Sequence, residues 1–370
     1  MRVVAARCGR GGSSPGWGRR ITFVGEVAGR RARDRWDMTT RAAQTTTPAR
    51  TPTPARPTAP HPGAGRRILA GAALAATLPY LTLKTAWVAG SHLGIPEGSI
   101  LLRPGLFFTV ANAVTLAMDA CVILLVLVLT RPWGMRIPSW LLTLPVFVAT
   151  GLLTPIVLGY PSQLLVKALG MGADEQVRAA SKPFLEPWVF AVVYGGFIIQ
   201  AVALTGLFVP YARRRWGGLW RGAAGRRLPS PTGVVAGAAA VCAGAVGAAH
   251  LYWAFGGSAG LSAQRAAVYS AETGVVSAAH AVCAFAAAAG ALLLARGGTG
   301  RADLRLALAW IGSGATFSWG TWMLSAAVGP QLDSGDGTTV ALTLTYAGQM
   351  ITGLLSAGVL IRFLRSRRTA

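Results

Sequence analysis

The chain is short of charge. Of its 370 residues 13% are charged, with 12 acidic side chains against 35 Lys and Arg, where a soluble domain carries about 25%. Cysteine is as scarce, at four, which excludes a disulfide scaffold, and the glycines keep no three-residue period, which excludes collagen. No GxxxxGK[ST], HExxH or CxxC occurs, so nucleotide-driven, zinc-protease and dithiol chemistries lack their signatures. No catalytic residues are therefore assigned. The net charge of +23 invites a nucleic-acid reading, but the basic residues sit on no polar domain, so no nucleic-acid partner is expected.

What is present is apolar sequence: 53% of residues are hydrophobic and the mean hydropathy is +0.49. Eight apolar runs, at 67–90, 106–130, 138–160, 187–210, 232–256, 271–295, 304–327 and 339–362, each approach or exceed the roughly 20 helical residues that cross a bilayer core. They are continuous where barrel strands would alternate, so the predicted class is an all-α membrane protein with eight transmembrane helices. Residues 1–66 are basic and rich in Arg, Thr and Pro, contain no spanning run, and read as a disordered cytoplasmic segment without a secretory signal. Met38 opens a more ordinary start, and residues 1–37 read as a gene-start extension.

Orientation follows from the arginines, because short basic loops stay cytoplasmic. The N-terminal segment, the loops carrying Arg131 and Arg136, Arg213 to Arg227, and Arg296 to Arg305, and the tail from Arg362 all fall on one side. The opposite loops hold Glu97, Asp174, Glu175, Glu186, Glu272, Asp333 and Asp336 against Arg103, Lys167, Arg178, Lys182 and Arg265. Both termini are predicted to be cytoplasmic in a multi-pass protein of the cell membrane, with lipid headgroups as partners of the arginines. Fourteen of the 35 basic residues lie at or before Arg67.

The two halves resemble each other. LKTAWVAGSHLG at the end of the first run parallels AHLYWAFGGSAG at the end of the fifth, matching Lys84 with His250, Trp87 with Trp253, Gly90 with Gly256 and Gly94 with Gly260. ANAV and AHAV match Asn112 with His280, and Tyr194, Gly196 and Gly206 match Tyr346, Gly348 and Gly358. The third and seventh runs align poorly. The expected layout is two similar four-helix halves at 67–210 and 232–362, a basic linker at 211–231, and a tail at 363–370. HLYWAFGG with its small-residue loop is similar to a motif of small four-helix bacterial membrane proteins. The LRPG…TRPWG region resembles uncharacterised multi-pass integral membrane proteins of high-GC actinobacteria. That resemblance implies a membrane location and no established activity.

Ionisable side chains inside a membrane are costly, so each is a candidate site. The candidate binding residues are Lys84, Asn112, Asp119, His250 and His280. Lys84 and Asp119 lean toward each other from consecutive spans and form the expected charge pair. His250 and His280, on consecutive antiparallel spans at one depth, have an arrangement that two imidazoles use to hold a haem iron or a metal; packed, hydrogen-bonded histidines are the other reading. Gln200 and Gln349 either line a cavity or bond between helices. Gly233 and Gly237 form a GxxxG suited to close helix contact, and Pro79, Pro145 and Pro155 are candidate kinks. In the outer loop 161–186, Leu164, Leu165, Ala168 and Leu169 share one face of an expected short interfacial helix. Three functions remain open: a permease-like carrier with a polar site in the outer half, a haem or redox protein using the two histidines, and a structural or accessory subunit without a site.

Overall fold

A computed structural model of the chain describes residues 63–102, 105–181, 184–220, 223–225, 227–334 and 338–368. The basic segment through residue 62 and the Met38 start lie outside the described residues. The elements run α1 (Ala64–Val88), α2 (Leu106–Thr130), α3 (Ser139–Ala168), α4 (Glu175–Ala180), α5 (Pro187–Trp220), β1 (Ala223–Gly225), α6 (Thr232–Ala254), α7 (Ala263–Ala267), α8 (Ala271–Arg296), β2 (Gly298–Arg301), α9 (Ala302–Ser334) and α10 (Val340–Arg368). The fold is all-α apart from the antiparallel ribbon of β1 and β2, which links two arginine-rich loops.

Seven helices are long and apolar enough to cross a membrane: all the long ones except α9. Their outward faces carry large apolar side chains, with Val241 75%, Val340 74% and Leu106 73% exposed, a surface that suits lipid and not water. These features define a multi-pass membrane protein. Helix α9 matches the others in length but falls below that apolarity, because Gly312, Ser313, Gly314, Thr316, Ser318, Gly320 and Thr321 dilute it. The cause is its position. Residues 312 to 316 are all buried, and α9 packs against α3, α8 and α10 together. A helix that meets protein on most sides needs small residues for close approach more than apolar ones for lipid. A Cβ at Gly312 would stand 2.3 Å from Ala287 N on α8, and one at Gly320 would stand 2.4 Å from Met350 N on α10.

Helix α1 packs against α2 and α5, which also meet each other and α3; α6 packs against α8 and α10, which also meet each other and α9; α3 lies more against α8 and α9 than against α2 and α5. Helices α1, α2, α3 and α5 are called the first group and α6, α8, α9 and α10 the second. The groups meet chiefly where α3 lies against α8 and α9. The ends of α1 and α6 are alike bond for bond. Ala89, Gly90 and Ser91 donate their backbone N–H groups to the carbonyls of Thr85, Trp87 and Ala86; Phe255, Gly256 and Gly257 donate theirs to Leu251, Trp253 and Tyr252. Trp87 Nε1 donates to Leu93 O at 2.8 Å, and Trp253 Nε1 to Ala259 O at 3.0 Å. Gly90 and Gly256 take φ of 89° and 88°, a left-handed conformation that closes a helix and favours glycine. At the other end, Arg215 stacks over Tyr211 at 5.9 Å and Arg367 over Phe363 at 5.4 Å.

Two local expectations are corrected. Residues 161–168 continue α3 past Pro161, so Leu164 and Leu165 are not on a separate interfacial helix; the short helix of that loop is α4. The GxxxG of Gly233 and Gly237 is not a tight contact: a Cβ at Gly237 would meet nothing within 4 Å.

Candidate functional site

The five candidate residues separate into two sites. In the first group, Lys84 lies one turn before the end of α1 and is 7% exposed. Its Nζ donates to Asn112 Oδ1 on α2 at 2.7 Å and sits 5.3 Å from the Tyr80 ring and 5.6 Å from the Trp87 ring. The ammonium is thus held by one strong acceptor and two aromatic faces. The expected Lys84–Asp119 ion pair is not formed. Asp119 is 4% exposed, its Oδ2 has no hydrogen-bond partner, and it acts on Lys84 through space. The reason is register: Asn112 lies two turns nearer the start of α2 than Asp119 and meets Lys84 first. Gln200 Nε2 donates to Thr77 Oγ1 at 3.2 Å, an interhelical bond deeper in the same group.

In the second group, the matching positions are His250 and His280, 5% and 8% exposed. Their rings stack with centroids 5.1 Å apart and planes at 24°. Gln349 Nε2 donates to His280 Nδ1 at 3.1 Å, which puts the His280 proton on Nε2. Neither ring nitrogen of His250 has a hydrogen-bond partner. Trp253 meets His250 edge-on at 5.4 Å, and Trp319 meets His280 edge-on at 5.5 Å. Rings that stack face to face at this distance do not point two nitrogens at one atom between them. Among the described residues, no group of three or more His, Cys, Asp or Glu is placed to hold a metal.

The histidines border a cleft of about 680 Å³, bounded by α3, α5, α6, α8, α9 and α10. Lys84, Asn112 and Asp119 do not line it. Its walls are aromatic, with Tyr160, Phe190, Tyr194, Trp253, Trp319 and Tyr346, and its mouth carries Lys167, Arg265 and Glu272. Glu272 Oε1 accepts the backbone N–H of Ala173 at 3.1 Å, tying the loop before α4 to the first turn of α8. A volume of this size falls within the 300 to 1,000 Å³ typical of small-molecule sites. The cleft lies at the end of the bundle opposite the arginine-rich loops.

Sequence reasoning missed the cleft's aromatic walls, although Tyr160 and Trp319 stand near its imidazoles. Their partners come from the other group of helices, and no spacing within one run announces that. It also passed over Gly256 to Gly260, GGSAG, which has the GxSxG spacing of a nucleophile elbow. That motif requires a strand before the serine and a helix after it. Here it follows the C-terminus of α6, and Ser258 uses its carbonyl to accept Leu261 N–H in a turn. Comparison with protein families, with curated proteins and with solved structures finds no match to the chain.

Proposed function

We propose that the chain is a permease-like, non-enzymatic carrier of the cell membrane, with eight spans in two similar four-helix halves and both termini cytoplasmic. Helix α9 counts as the eighth span: its length suffices, and its low apolarity follows from the protein that surrounds it. Duplication is supported by the bond-for-bond likeness of the α1 and α6 ends and by the shared Arg-over-aromatic pair on α5 and α10. Orientation is supported by the arginines gathered at one end, where they meet anionic headgroups at about 1 kcal/mol each. The cleft then lies in the outer half of the membrane, between the halves. Binding sites at repeat interfaces are a recurring feature of carriers.

The observation that carries this reading is the cleft itself, with a buried imidazole pair in its floor and aromatic walls drawn from both halves. A structural subunit has no use for such a cavity. The haem reading draws less support, because the imidazoles stack instead of opposing each other and Gln349 occupies His280 Nδ1. The test is access. With Cys8, Cys121, Cys242 and Cys283 replaced by Ala, Ser277→Cys in the cleft wall should react with a membrane-impermeant thiol reagent added outside intact cells. No reaction from outside, with folding intact, would contradict an outward-facing cleft.

A further inference from the structure

The cleft's chemistry goes beyond its shape, and the following rests on the carrier reading above. The charged side chains of its lining are Lys167, Arg265 and Glu272, beside hydroxyls, an amide and imidazoles that can donate or accept. The hydroxyls of Tyr160 and Tyr194 make no hydrogen bond among the described residues; their rings meet edge-on at 5.2 Å. Arg265, Lys167 and Tyr346 all line the cleft, with Arg265 and Lys167 exposed. The single carboxylate, Glu272, already accepts a bond from Ala173 N–H. Fixed charge at the mouth therefore comes to two cations against one engaged anion, and the wall behind it is aromatic. A ligand suited to these groups brings an anionic acceptor for Arg265, Lys167 and the tyrosine hydroxyls, and a flat or aliphatic apolar body for Trp253 and Trp319. A cationic ligand would meet Arg265 and Lys167 among the lining residues, against the one carboxylate of that lining, Glu272.

We propose that the cleft binds an organic monoanion: a carboxylate held at the mouth by Arg265 and Lys167, with its apolar body against the aromatic walls to which Trp253 and Trp319 contribute. A free aromatic acid and a fatty acid released from lipid share this chemistry, and benzoate and decanoate stand for the two sources.

The test is calorimetric titration of the purified full chain in detergent with benzoate, decanoate, benzylamine and benzyl alcohol. Saturable binding of a carboxylate is expected, with benzylamine silent. Benzoate binding alone marks a free aromatic acid as the source, and decanoate binding alone marks a lipid product. Arg265→Gln, at an exposed position that the fold does not need, should weaken carboxylate binding about tenfold, the worth of one charge-assisted hydrogen bond. Lys84→Met, outside the cleft, should leave it unchanged. Saturable binding of benzylamine with silent carboxylates would overturn the anion assignment while leaving the cleft as a site. Carboxylate binding that Arg265→Gln and a Trp319→Ala variant both leave untouched would place the anion elsewhere and overturn the proposal. Silence of all four probes would overturn it too; if Ser277→Cys still reacts from outside, the cleft reading survives that failure.

Discussion

His250 stacks on His280, and in the other half of the chain Lys84 bonds to Asn112: each member of one pair corresponds in sequence to a member of the other, and each pair joins the same two helices of its group. Each pair sets polar side chains between two consecutive spanning helices, an imidazole stack in one and an ammonium on an amide in the other. In the second group the pair borders the cleft. In the first it is sealed, and its charge is held by an amide and two rings.

Buried charge makes the first pair fragile. Removing the acceptor leaves an ammonium in a low-dielectric site, which typically costs about 3 kcal/mol or more, whereas replacing both partners by apolar groups is often nearly neutral. Asn112→Leu should therefore destabilise the protein more than the double variant Lys84→Met/Asn112→Leu. Thermal unfolding in detergent across the double-mutant cycle reads the difference directly.

Helix packing gives a second contrast. Gly312→Val and Gly320→Val place side chains against the backbones of α8 and α10 and should cost about 3 kcal/mol or prevent folding. Gly237→Val, whose Cβ meets nothing, should change stability by about 0.5 kcal/mol or less. Expression and melting temperature of the three variants check this.

Much of the architecture was legible in the sequence, and the reasons are physical. Continuous apolar runs fix helices, and the observed bounds of α2 coincide with the run at 106–130. The likeness of the α1 and α6 ends was legible because Trp87, Gly90 and Gly94 build one loop geometry that Trp253, Gly256 and Gly260 build again. What stayed hidden depends on contacts between distant runs. Lys84 chose Asn112 over Asp119 through helix register, and the packing glycines proved to be those of α9 instead of the GxxxG at 233–237. The cleft needed side chains from both halves.

The duplicated loop makes an energetic prediction. Trp87→Phe and Trp253→Phe each remove one indole donor to a loop carbonyl, a loss of about 1 kcal/mol. The two should lower the melting temperature by similar amounts, and additively, since the bonds lie in separate groups. A large effect from one and none from the other would show that the two loops hold their halves differently.

Topology is tested by single cysteines in a background without Cys8, Cys121, Cys242 and Cys283. Met171→Cys, in the loop before α4, should be labelled by an impermeant maleimide on intact cells. Gly300→Cys, in β2, should be labelled only after the cells are opened. The reverse pattern would invert the assignment of sides that the arginines support.

The central claim is that the cleft is a carrier's site, so that its walls must move. Leu164 on α3 and Val268 beside α7 both line the cleft, and pulsed electron resonance on the reconstituted protein with spin labels at Leu164→Cys and Val268→Cys measures their separation. Two distance populations, with their ratio shifted by benzoate or decanoate, are the predicted result. One narrow population that neither carboxylate alters would contradict the carrier account.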